Sequence, residues 1–227
     1  LRQRDEANPL ELFQLWLNLP ARSKRVDAYF SMLWRESIPR RRYVDGSGHD
    51  TEVMFVAGGM EDVSPTQPPP DSWAAEPGAD VAIWLLTLSP GARFTLPATD
   101  PGSNRALYLY RGSALQIGDQ TLPPDHRAVL DAGRAADLLA GREGAELLML
   151  QGRPIGEPVV QQGPFVMNTP AEIREAFLDY QRDRFGQHWP WGANDPVHPR
   201  EKGRFARHAD GRLDEPGVET AAPARSG

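Results

Sequence analysis

From about Thr51 to Pro158 the chain is a succession of short apolar runs, each halted by glycine, proline or aspartate. This punctuation constrains the fold more than any other feature. A buried helix needs about 10–12 unbroken residues, whereas a strand needs about 4–8. The runs are Glu52–Gly59, Asp80–Leu88, Ser89–Pro97, Arg105–Gly118, His126–Gly133 and Ala145–Gly152. Asp80–Leu88 (DVAIWLLTL) is apolar on both faces, as a strand buried between two sheets would be. Many short strands with turn signals between them predict a mostly β domain, a sandwich or barrel, over residues 50–158. The 21 glycines and 22 prolines agree with that, and 227 residues suffice for one large domain with appendages.

The flanks read differently. In Phe13–Pro20 (FQLWLNLP), Phe13, Leu15, Leu17 and Leu19 alternate with Gln14, Trp16 and Asn18, which predicts a strand ending at Pro20 within residues 1–20. Residues 21–49 are mixed and charged, a connector stopped by Pro39-Arg40-Arg41-Arg42, and Ser64–Gly78 is a proline-rich loop. Residues 159–187 run from a loop into one strongly signalled helix. Thr169 is its N-cap, Pro170 its first residue, and Glu172 completes a capping box. Ile173, Ala176, Phe177 and Tyr180 form one apolar stripe, and Gly186 is placed to end the helix. Such a stripe needs a partner. Residues 188–227 read as an extended tail, with Trp189-Pro190-Trp191 expected to bury a ring and the last dozen residues expected to be disordered. The chain begins at Leu1 and enters its first alternation almost at once, so it reads as the later part of a longer protein.

The candidate chemistry is mostly subtractive. The spacing from Gly91 to Gly112 reproduces the frame of a cupin metal motif, in which histidines and a glutamate project into the barrel. Here the ligand positions hold Pro97, Thr99 and Arg105, and the later ligand strand (Asp131–Leu139) has no histidine. Proline has no donor atom, a lone hydroxyl is a poor ligand, and arginine repels a cation, so this barrel should hold no metal. His126 sits at a strand start and reads as a surface residue. His188, His198 and His208 are ten apart, which matches no pair on one helix face. There is no Gly-x-Ser-x-Gly elbow or phosphate loop, so no catalytic residue is assigned. The absence of cysteine removes disulfides and thiolate chemistry, and fits a cytoplasmic setting. No run is long enough to span a membrane. A net charge of −6 gives nucleic acid no global support, and the basic patches Arg40–Arg42 and Arg200–His208 read as solvated arms.

With these segments laid out, Phe13–Pro20 and Gly152–Thr169 (GRPIGEPVVQQGPFVMNT) with the capped helix behind them resemble the pirin family, over roughly residues 10–186. The tail from Trp189 to Arg212 resembles a bacterial pirin-like subgroup. The resemblance implies a bicupin, two jelly-roll barrels packed face to face. Residues 1–20 would be the remnant strand of the N-terminal barrel and 50–158 the C-terminal barrel. The helix would be a clasp, with Ile173, Phe177 and Tyr180 packed on the N-terminal barrel. Iron would be held in that first barrel by three histidines and a glutamate upstream of Leu1, so none is expected in this chain. The polar face of the first strand, Gln14 and Trp16, would line the N-terminal barrel's pocket, or else lie on the surface under the connector.

Two functions follow from the resemblance. The chain itself would be a metal-free scaffold or interaction barrel, partnered by its own N-terminal cupin domain. The complete protein would be an iron-dependent, quercetinase-type dioxygenase. The alternative is a non-enzymatic, redox-responsive regulator that binds a protein partner.

Overall fold

The computed structural model describes residues 5–183, 200–208 and 211–217, which divide into two compact units. One is residues 33–156, and the other joins residues 1–32 to residues 157–227.

The first unit is built from ten strands: β1 (Arg40–Val44), β2 (Asp50–Ala57), β3 (Ala82–Leu88), β4 (Arg93–Leu96), β5 (Asn104–Gly112), β6 (Leu115–Ile117), β7 (Gln120–Leu122), β8 (His126–Asp131), β9 (Ala136–Ala140) and β10 (Ala145–Gly152). They form a six-stranded sheet, β1-β2-β3-β10-β5-β8, and a four-stranded sheet, β4-β9-β6-β7, antiparallel throughout. One apolar core lies between the sheets. Val53, Phe55, Trp84, Leu86, Leu107, Leu109, Leu147 and Met149 enter from the larger sheet, and Phe94, Leu96, Leu115 and Leu138 from the smaller. This is a filled, mostly β jelly roll of the cupin type. Burial alternates along β4, with Phe94 and Leu96 inward and Arg93 and Thr95 outward, as a period of two requires. Gly112, at the end of the cupin frame, has φ +119°, and a Cβ there would meet the Gly144 carbonyl oxygen at 2.3 Å. Only glycine allows β5 to close against the turn before β10.

The strands begin earlier than the sequence suggests. Arg40–Val44, read above as connector, is the edge strand of the larger sheet, with Arg42 opposite Glu52 and Tyr43 opposite Thr51. The arginine run reads as a stop because charge density is high. On an edge strand that charge is accommodated, since outward arginines meet acids on the neighbouring strand and deter unwanted pairing. Arg40 contacts Glu52 at 2.8 Å, Arg42 Nε donates to Asp50 at 2.8 Å, and Arg41 is bonded to Asp62.

The second unit contains a hairpin of β11 (Val160–Gln162) and β12 (Phe165–Met167), then α1 (Pro170–Asp183). The cap forms as the sequence predicts: the Glu172 amide donates to Thr169 Oγ1 at 3.2 Å, and the Thr169 amide donates to Glu172 Oε2 at 2.7 Å. Ile173 and Ala176 are buried against Met167, with Val160, Phe165 and Phe177 around them. The Phe165 and Phe177 rings meet edge-on at 4.7 Å.

Two readings of the flanks need correction. Residues 7–20 form no strand: a strand needs a neighbouring strand to pair with, and among the described residues no sheet includes this segment. Its side chains stand in solvent, Leu10 at 85% and Trp16 at 63% exposure. The tail, read as extended, carries a turn at Arg200–Lys202 and a two-residue hairpin of β13 (Ala206–Arg207) and β14 (Leu213–Asp214). Trp189, Trp191, His188, His198, Gly186 and residues 218–227, most of the stretch expected to be disordered, lie outside the described residues.

Candidate functional site

The ligand positions of the cupin frame are the natural place to look for chemistry, and they hold a closed polar network instead. Arg105, on β5, is 2% exposed. Its Nε donates to Gln151 Oε1 at 2.7 Å across the β5–β10 pair, and its Nη1 donates to the Pro97 carbonyl at 2.9 Å. Gln151 Nε2 in turn donates to Asp80 Oδ1 at 2.9 Å. Asp80 also accepts from Thr99 Oγ1 at 3.0 Å and from Ser103 Oγ at 2.6 Å. Asp80 has φ +51°, a conformation that costs a non-glycine residue free energy and that these bonds hold in place. Burial lowers the proton affinity of Arg105, and the Asp80 charge works against that.

This donor set does not fit iron or zinc. Pro97 contributes only a backbone carbonyl, already bonded. Thr99 donates its hydroxyl to a carboxylate, and Arg105 places a fixed cation where a metal would carry its charge. Asp80 is the one anion of the network and is occupied by three side-chain donors. Among the described residues no group of three or more histidine, cysteine or acidic side chains could hold a metal.

Of the other candidate residues, Gln14 and Trp16 lie on the exposed N-terminal segment. Ile173 and Phe177 are engaged with their own hairpin, and Tyr180, 47% exposed, meets Phe165 of that hairpin edge-on at 5.9 Å, whereas Leu178 is 65% exposed. His126 is exposed, with Nδ1 2.8 Å from the Pro124 carbonyl. The basic run Arg40–Arg42 is ion-paired, Arg40 with Glu52, Arg41 with Asp62 and Arg42 with Asp50. Among the described residues no helix is long and apolar enough to cross a membrane.

The sequence reading missed Asp80, Ser103 and Gln151, and it missed Glu157. Glu157 Oε2 accepts from the Ala21 amide at 2.7 Å and from Asn168 Nδ2 at 2.9 Å. Lys24 Nζ donates to Asn18 Oδ1 at 2.7 Å and to the Val166 carbonyl at 3.2 Å. Arg25 pairs with Glu175 and Asp179 on α1, at 2.8 and 3.0 Å. Residues 157–169 are therefore a structural joint, tying residues 18–25 to the start of the helix.

Comparison with known proteins decides the family. The model of the pirin C-terminal cupin domain matches residues 83–186. These residues are a pirin C-terminal cupin domain. A Vibrio cholerae protein with the provisional name quercetin 2,3-dioxygenase is 36% identical over 180 residues, covering 76% of this chain and 58% of that protein. A pirin-like protein of Caulobacter vibrioides is 34% identical over 173 residues, and human pirin 29% over 187, each again over 58% of its length. A crystal structure of quercetin 2,3-dioxygenase from Acinetobacter baumannii superposes with a TM-score of 0.63 at 28% identity, over 75% of this chain and 55% of that one. The chain thus spans a little over half the length of these pirin-type relatives.

Proposed function

We propose that this chain is the scaffold and docking half of a two-barrel pirin-type protein, and that the complete protein is an iron-dependent, quercetinase-type dioxygenase. The observation that carries this reading is the network around Arg105. A barrel whose frame is closed by a guanidinium, with an interior filled by leucine and phenylalanine, has room for neither metal nor substrate between its sheets. Chemistry in the complete protein would then belong to a separate N-terminal cupin domain. Residues 7–20 support the docking role, since they join no sheet among the described residues and carry alternating apolar side chains from Phe13 to Leu19, as a strand does before it is added to a sheet. Gln14 and Trp16 would face that domain's pocket once the strand is paired. On α1, Leu178 is the most exposed apolar side chain open to such a partner.

The test compares this chain with the complete protein. The chain alone should bind substoichiometric iron or zinc by elemental analysis and should not consume quercetin. The complete protein should bind about one metal and turn quercetin over, and Gln14→Ala or Trp16→Ala should impair it. About one metal per chain in the isolated chain would overturn the scaffold reading. A metal-loaded complete protein with no quercetin turnover would favour the redox-responsive regulator.

A further inference from the structure

β8 (His126–Asp131) is the last strand of the six-stranded sheet and pairs only with β5, so its other edge is free. A groove of about 580 Å³ lies beside that edge, towards β7, with Ile117, Leu122, Ala128, Leu130 and Ala136 among its lining. Neighbouring strands lie about 4.8 Å apart, so a strand laid against β8 would enter this groove.

Free edges are normally guarded against such pairing. The opposite edge of the same sheet is guarded: β1 follows Pro39 and carries Arg40, Arg41 and Arg42, each held by an acid of its own chain. β8 has no comparable run of like charge. Ala128 and Leu130 turn to the core, so Arg127, Val129 and Asp131 follow one another on the outward face. Val129 is 74% exposed, the most exposed large apolar side chain of residues 33–156. Among the described residues Arg127 has no ion pair, and Asp131 uses one carboxylate oxygen to accept from the Gly133 amide at 2.9 Å.

The order of these three side chains identifies the partner. In an antiparallel pair, residues directly opposite project from the same face, where unlike charges stabilise and like charges repel. With Val129 opposite Val129 of a second β8, Arg127 of each copy stands opposite Asp131 of the other, and Ala128 opposite Leu130. One two-fold axis makes both charge contacts at once, as an isologous interface requires. We propose that this chain pairs through β8 with a second copy of itself, antiparallel and centred on Val129, so that the two larger sheets become one. The pairing is independent of the metal and dioxygenase readings.

Sedimentation velocity on the chain over a range of micromolar concentrations should show a monomer–dimer equilibrium. Arg127→Asp and Asp131→Arg each set like charges opposite one another at both ends of the pairing, and each should raise the dimer dissociation constant about tenfold or more. Mixed in equal amounts, the two variants again set unlike charges opposite one another, and should form a heterodimer about as tight as the wild-type dimer. That arm also shows that neither variant has merely misfolded. Val129→Lys should abolish the dimer by placing two cations at the axis. The assignment fails if the wild type stays monomeric, or if the mixture associates no better than either variant alone. It fails equally if the wild type associates and the variants do not weaken it, which puts the contact on another surface such as α1 or residues 7–20.

Discussion

Replacing Arg105 by methionine removes the centre of the polar network while keeping most of its volume, so the loss is mainly of hydrogen bonds rather than of packing. Two acceptors are stranded, Gln151 Oε1 and the Pro97 carbonyl. A buried acceptor left unpaired costs about 1–3 kcal/mol. Gln151 is half-buried and counts toward the middle of that range, whereas Pro97 is exposed, so its carbonyl can recruit water and counts at the low end. Asp80 also loses the opposing charge that faces it. Against this, the unfavourable desolvation of the guanidinium disappears. The net expectation is a loss of about 2–4 kcal/mol. For a urea m-value of about 2 kcal/mol/M, the middle of the usual range, the unfolding midpoint should fall by about 1–2 M. Arg105→Lys should lie between, because one ammonium cannot reproduce the two directions of the guanidinium fork. A methionine variant as stable as the wild type would refute the reasoning and make the network neutral against an apolar core.

Three other perturbations follow. Three backbone donors hold the Asp45 carboxylate near a pKa of about 2, below the ordinary ~3.9; its contribution to stability is therefore full above pH ~4 and lost as pH falls through about 2, and Asp45→Asn should flatten that acid limb in a urea–pH series. Glu157→Ala deletes the acceptor shared by the exposed Ala21 amide and Asn168, and should cost about 0.5–1.5 kcal/mol and speed proteolysis near Ala21, with cleavage inside Asp80–Leu88 unchanged. Phe177→Ser removes an edge-on ring contact with Phe165 and should lower the melting temperature of the helix unit, at about 0.5–1.5 kcal/mol for the ring pair plus the lost burial. If light scattering shows the chain associating through α1, Tyr180→Ser should reduce that association more than Phe177→Ser, since Tyr180 is the more exposed ring.

What could be read from the sequence was whatever is periodic or local. The strands of the jelly roll announce themselves by turn residues, and the capping box at Thr169 and Glu172 needs only four consecutive residues. The unsuitability of Pro97, Thr99 and Arg105 as metal ligands was also legible, because residue type alone excludes them. What replaced the metal was not. Arg105 and Gln151 are 46 residues apart, and only the β5–β10 register puts them opposite each other. Residues 13–19 show the converse, since alternation states which face is apolar but not whether a neighbouring strand exists. The arginine run misled for a related reason. Its acids, Glu52, Asp50 and Asp62, come from the next strand and loop, and charge that is dense in sequence is balanced in space.

The contact between Ala21 and Glu157 spans 136 residues, with the whole jelly roll between its ends. For an unfolded chain, closing a loop of that length costs about 4 kcal/mol in entropy, (3/2)RT ln n, before the joint returns anything. Once residues 33–156 have folded, the intervening polypeptide is no longer a random loop, and most of that cost has already been met by the barrel's own contacts. Assembly should therefore be ordered: the jelly roll first, and the joint of Lys24, Glu157 and the helix N-terminus as a later step. During synthesis, Ala21 would wait for its Glu157 partner until the whole of the inserted barrel, residues 33–156, had been made.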